Sequence, residues 1–200
     1  MRKKSAILTF IIGVSVLGAV YWYVLHLRRD EPKDVVRVNA LLAQALREHT
    51  AGNTEVFLQY LRSAVTHPHW YPPDGGLLRA ICQALQKVDT AKHPEANCLA
   101  LAVIIRSVQA HPVSEPAIYY HTIRACFSLL EDKVESCNSR AYSLLKGHFD
   151  TASRQFKVIG RGGGVVGDIV YVRRVESLAR RKLKELQRIC DSLTDIQKAM

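Results

Sequence analysis

No Cys-x-x-Cys pair and no Asn-x-Ser/Thr acceptor occurs anywhere in the 200 residues. The five cysteines (82, 98, 126, 137 and 190) are odd in number and widely scattered. A secreted scaffold stapled by disulfides looks different, so the expectation is free thiols and a reducing compartment. Nucleophile elbow, His-Glu-x-x-His, P-loop lysine and paired-carboxylate motifs are also missing, which argues against an enzyme. His67-x-His69 has no third ligand at metal spacing, and His93, His111, His121 and His148 are scattered, so neither metal nor cofactor is expected. Strand-like alternation is nearly absent. With 48% hydrophobic and 23% charged residues, the chain is neither disordered nor fibrous.

What is present is basic charge, and it is concentrated. The formal charge is +10, from 28 Lys/Arg against 18 Asp/Glu. Between Arg154 and Arg188 ten basic residues face three acids (Asp168, Glu176, Glu185), so ten minus three places +7 in that segment.

A short basic N-terminus (1–5) precedes an uncharged run, Ala6 to Leu27. Its 22 residues make roughly 33 Å of helix, enough for a hydrocarbon core of about 30 Å. Tyr21, Trp22 and Tyr23 lie near its end, where an interfacial aromatic belt belongs. A cleaved signal peptide would use Arg2–Lys4 and Gly18-Ala19, but the apolar run continues past Ala19, so an uncleaved single-pass anchor is expected. Basic residues flank the span almost evenly. Free cysteines and missing glycosylation acceptors point the large domain toward the cytosol.

A polar hinge (28–33) leads into an all-α domain at 34–150. Apolar stripes at helical spacing begin near 34, 54, 76, 95, 115 and 133. The stretch Cys98–Ile105 is apolar on nearly all sides and is expected to be the central helix. The sixth helix is read as ending at Gly147. Arg62-Ser63-x-x-x-His67-Pro68 recurs 44 residues later as Arg106-Ser107-x-x-x-His111-Pro112. That period suits a short α-solenoid of HEAT- or armadillo-like hairpins, with a helical bundle as the alternative. Either is a surface for binding proteins, and the groove near His67, His69, Trp70 and Tyr71 is the candidate partner site. Cys82, Cys98 and Cys126 fall on apolar stripes as small core residues.

Residues 151–167 read as a linker: a short extended piece at 155–159, then a glycine-rich hinge. Gly162-x-Gly164-x-x-Gly167 matches the dinucleotide fingerprint, but no second strand follows to complete that fold. A basic amphipathic helix over 168–198 closes the chain. Its apolar stripe runs Ile169, Val172, Val175, Leu178/Ala179, Leu183, Leu186, Ile189, Leu193 and Ile196. Arg173, Arg174, Arg180, Arg181, Lys182, Lys184 and Arg188 take the other positions as candidate contacts to anionic headgroups, and the hinge would let the helix swing. Nucleic acid is disfavoured, since no aromatic is interleaved after Tyr171.

Gly164-Val165-Val166-Gly167-x-x-x-Tyr171-x-Arg173-x-x-x-x-Leu178 resembles a run in the NICE-three family of small single-pass membrane proteins. Thr50-x-Gly52-Asn53, followed by Phe57 and Arg62, is a second similar stretch, and together they cover about 35 residues. The resemblance implies an intracellular organelle membrane (Golgi or mitochondrial) and a regulatory role such as in phagocytosis. It brings no catalytic residues. The resulting expectation is a membrane-anchored, non-enzymatic helical adaptor at a Golgi, mitochondrial or ER surface. The alternative is a structural or assembly subunit of a membrane complex, for instance mitochondrial.

Overall fold

The computed structural model describes residues 33–68, 70, 75–110, 115–161 and 168–199. The chain divides into two compact units, Met1–Val36 and Arg37–Met200. The anchor expected at 6–27, with Ala6, Tyr21, Trp22, Tyr23 and Leu27, lies outside the described residues. Among those described, no helix is long and apolar enough to cross a membrane.

The described residues are all-α, with eight helices: α1 (Lys33–Thr50), α2 (Thr54–Val65), α3 (Gly75–Lys87), α4 (Glu95–Gln109), α5 (Pro116–Leu129), α6 (Glu131–Cys137), α7 (Ser139–Arg161) and α8 (Asp168–Ala199). Each buries the stripe its sequence spacing dictates: Val38, Leu42 and Ala45 on α1; Phe57, Leu58, Leu61, Ala64 and Val65 on α2; Leu78, Ile81, Cys82 and Leu85 on α3. α4 carries buried residues around most of its circumference and packs against α2, α3, α5, α6 and α8. The apolar-all-round helix is thus the central one, as its sequence demands.

The loop from α1 to α2 contains Gly52 and Asn53. Gly52 adopts φ +83°, its N–H donates to the His49 carbonyl at 3.1 Å, and the Asn53 N–H donates to the Glu48 carbonyl at 2.9 Å. This αL turn closes the last carbonyls of α1, and glycine takes the positive φ without a Cβ penalty. Asn53 does not cap α2 with its side chain, since its Nδ2 donates to Glu48 Oε2 instead.

Side chains from later helices close three helix ends. Arg106 Nη2 on α4 donates to the His67 carbonyl beyond α2 at 2.5 Å. Lys133 Nζ on α6 donates to the Val88 carbonyl beyond α3 at 2.8 Å. The buried Tyr119 hydroxyl on α5 donates to the Ser107 carbonyl in the last turn of α4. These carbonyls have no partner inside their own helices, and leaving one unmet in the interior costs more than a typical hydrogen bond gains. Tyr119→Phe is therefore expected to cost about 1 kcal/mol in urea unfolding. An unchanged midpoint would show that solvent already serves Ser107.

Four sequence expectations are corrected. The sixth helix is two helices, α6 and α7, broken at Asn138, whose Oδ1 accepts from the Ala141 N–H at 2.9 Å. The linker beginning at 151 and its extended piece at 155–159 belong to α7, which runs through Gly147 to Arg161. The expectation of five free thiols fails, because Cys98 and Cys137 are bonded with Cα atoms 5.1 Å apart, tying α4 to the end of α6. Cys98 is exposed rather than a core residue, and the free-thiol ground for a cytosolic domain is lost.

The fourth correction concerns α8. Leu178, Ala179, Leu183, Leu186, Cys190 and Leu193 are buried against α4, α5 and α7. Four leucines at about 1.5–3 kcal/mol each give about 6–12 kcal/mol, comparable to or more than the roughly 7 kcal/mol that seven basic residues gain from headgroups at about 1 kcal/mol each. From Leu178 to Leu193 α8 is a wall of the core, not a swinging arm. Its first turns stand clear, with Val170, Tyr171 and Val172 44–53% exposed.

Candidate basic surface and arginine cavity

Because the leucine stripe fixes the rotation of α8, the opposite face has a fixed composition. Arg173, Arg174, Arg180, Arg181, Lys184 and Arg188 are all exposed on it. No ion pair joins any of the six to a described carboxylate. The first five of the six guanidinium and ammonium groups span Arg173 to Lys184, about 17 Å of helix, and Arg188 adds another turn.

Lys182 does not belong to this surface. It is 5% exposed, and its Nζ donates to Glu185 Oε2 at 2.5 Å. Its position between Leu178 and Leu186 at four-residue spacing places it on the inward stripe, and the aliphatic stem packs there while the ammonium reaches its carboxylate. The Lys182 hydrogen bond and charge hold the Glu185 carboxyl below its ordinary range. His148 of α7 lies beside this pair, with Nδ1 4.0 Å from Glu185 Oε2. Burial, then the Lys182 charge, pushes the imidazole down to about 4. It is neutral at neutral pH, so the contact with Glu185 is not an ion pair there. This buried cluster carries no sequence signature beyond a lone histidine.

At the junction of α7 and α8 a cavity of about 450 Å³ is lined by Ile159, Val170, Arg173, Arg174, Ser177, Leu178 and Arg181. Arg173, Ser177 and Arg181 recur every four residues, so one helix face delivers two guanidinium groups and a hydroxyl. Arg174 and Leu178 flank them on the neighbouring row. Val158, 70% exposed, lies next to Ile159 in sequence, and the exposed Tyr171 lies next to Val170 on α8.

The groove expected near His67–Tyr71 fares differently. Trp70 is 8% exposed and belongs to the hydrophobic core, so it is not a surface anchor. His67 is half-buried, and its carbonyl is held by Arg106. His69 and Tyr71 lie outside the described residues, as do Gly164–Gly167 of the family-like run, whereas its Tyr171 and Arg173 are exposed and its Leu178 is buried.

The three cysteines outside the disulfide, Cys82, Cys126 and Cys190, are all buried. The Cys82 thiol donates to the Cys126 sulfur, which together with burial holds Cys82 far above the ordinary thiol range, while the same bond holds Cys126 below it. Burial with the Asp191 charge pushes Cys190 up to about 12. Among the described residues no group of three His, Cys, Asp or Glu is placed to hold a metal ion. The chain matches no protein-family model, no curated protein and no solved structure.

Proposed function

We propose that this chain is a non-enzymatic helical adaptor, tethered to an organelle membrane through residues 6–27, that docks through the basic face of α8 onto anionic headgroups. The observation that carries it is the set of six exposed basic residues, none ion-paired with a described carboxylate, on a helix whose other face is locked into the core from Leu178 to Leu193. A loose basic helix loses entropy when it docks, whereas a fixed one presents its charges already aligned. Six charges at about 1 kcal/mol each, reduced by screening, supply several kcal/mol, and the tether raises the local concentration of headgroups. The helix order supports an adaptor: α2 packs on α4, α3 on α5 and α4 on α6, each against the helix after next, as in a short solenoid stack that α8 closes.

The test is arginine-specific chemical labelling of the full chain in lipid nanodiscs, read by mass spectrometry. Arg180 and Arg188 are expected to be protected in discs containing phosphatidylserine, unprotected in neutral discs, and released again by high salt. Equal labelling in both discs would overturn the docking surface. Substituting Arg180→Glu, Arg181→Glu and Lys184→Glu together should abolish protection of Arg188. Lys182→Glu is unsuitable as a probe, since it buries a carboxylate against Glu185.

A further inference from the structure

Resting on that reading, we propose that the cavity at the α7–α8 junction is a specific site for a phosphorylated inositol lipid headgroup, bound one molecule at a time. A uniform basic ridge needs no concavity, yet three of its arginines, Arg173, Arg174 and Arg181, converge on one. Guanidinium groups match phosphate oxygens in bidentate geometry, and three of them bring +3. A headgroup with one phosphodiester and one phosphomonoester carries about −2.5 to −3 at neutral pH, so the charges balance. A phosphatidylserine headgroup has no phosphomonoester to fill the third position. The Ser177 hydroxyl adds a donor and acceptor between Arg173 and Arg181, suited to an inositol hydroxyl.

The apolar lining selects a lipid over a free anion. Ile159, Val170 and Leu178 line the same cavity, and the exposed Val158 and Tyr171 directly adjoin two of these lining residues in sequence. Such residues suit the glycerol and upper acyl region, whereas a small free anion gains nothing from them. The volume of about 450 Å³ is ample for a phosphorylated inositol ring.

The experiment is calorimetric titration of the full chain in neutral detergent micelles with water-soluble dibutanoyl phosphatidylinositol 4-phosphate. Dibutanoyl phosphatidylserine and inorganic phosphate serve as parallel probes. One-to-one binding of the phosphoinositide is expected, tighter than either parallel probe by at least about tenfold. Arg174→Gln and Arg173→Gln should each weaken it by about tenfold or more, because each removes charge-assisted hydrogen bonds. Arg62→Gln, on the exposed face of α2, should not alter it. Arg174 and Arg173 are exposed, so unchanged melting of these variants will show that folding is intact. Inorganic phosphate binding as tightly as the headgroup would overturn the lipid assignment. If Arg180→Gln, outside the cavity, weakens binding as much as Arg174→Gln, attraction is spread along the ridge and the cavity site falls while the docking surface stands. Absence of headgroup binding alongside nanodisc protection likewise removes the cavity site and leaves the docking surface. Loss of both defeats the two together.

Discussion

Reduction of the Cys98–Cys137 bond is expected to lower the stability of the helical domain by about 4 kcal/mol. The bond closes a loop of 39 residues that contains most of α4, all of α5 and nearly all of α6. Constraining such a loop in the unfolded chain corresponds to about 4 kcal/mol on the chain-entropy account. For a domain of this length that is a fall in melting temperature of about 10 °C. Cys98 is exposed, so a mild thiol reductant reaches the bond without prior unfolding, whereas Cys82, Cys126 and Cys190 are buried and stay unmodified. Cys98→Ser with Cys137→Ser should melt where the reduced protein melts and ignore the reductant. If the reductant leaves the native chain unmoved, the two thiols are unbonded and the expectation of free cysteines is restored.

The helices were legible because burial in a bundle follows the 3.6-residue period directly. α4 shows this best: its apolar residues surround it, and five helices pack on it. The boundaries near α7 were not legible, for two opposite reasons. Gly147 reads as a stop, yet a mid-helix glycine costs only about 1 kcal/mol, less than Leu145, Phe149 and Ala152 gain by staying on one buried stripe. Residues 155–159 look extended because Val158 and Ile159 are β-branched, but Phe156 continues the helical stripe onto Tyr120, with ring centroids 5.4 Å apart. Tertiary packing outweighs propensity in both places.

The candidate site was half legible. That Arg173, Arg174, Arg180, Arg181, Lys184 and Arg188 avoid the leucine stripe follows from counting along α8. The same count places Lys182 inside, four residues from both Leu178 and Leu186, and grouping it with the ridge ignored that register. That Ile159 of α7 meets the arginines of α8 requires the packing of two helices that no local pattern encodes. The disulfide has the same character, since a separation of 39 residues leaves no trace in spacing. The repeated Arg-Ser-x-x-x-His-Pro pattern marks two neighbours, α2 and α4, and the second copy's Arg106 closes the end of the first.

Acidification is expected to destabilise the domain through His148 before the carboxylates take part. The side chain is buried between α7 and α8, facing Tyr120 of α5, the ring of Phe149, and the Lys182–Glu185 pair. Desolvation, reinforced by the Lys182 ammonium, sets its folded-state value at about 4, against an ordinary 6.5. Between those values the unfolded chain binds a proton that the native chain refuses, so stability falls as pH falls through this window. The full difference, about 2.5 units, corresponds to about 3 kcal/mol by pH 4, and none of it is lost above pH 7. The Lys182 hydrogen bond and charge hold the Glu185 carboxyl below its ordinary range. His148→Phe keeps the ring contacts and removes the titration, and no hydrogen bond to His148 Nε2 is sacrificed. Urea unfolding at pH 7, 5.5 and 4.5 should show the native chain weakening steadily while the His148→Phe chain stays nearly level. Parallel declines would mean that His148 is protonated in the folded state without penalty, and that acid acts elsewhere.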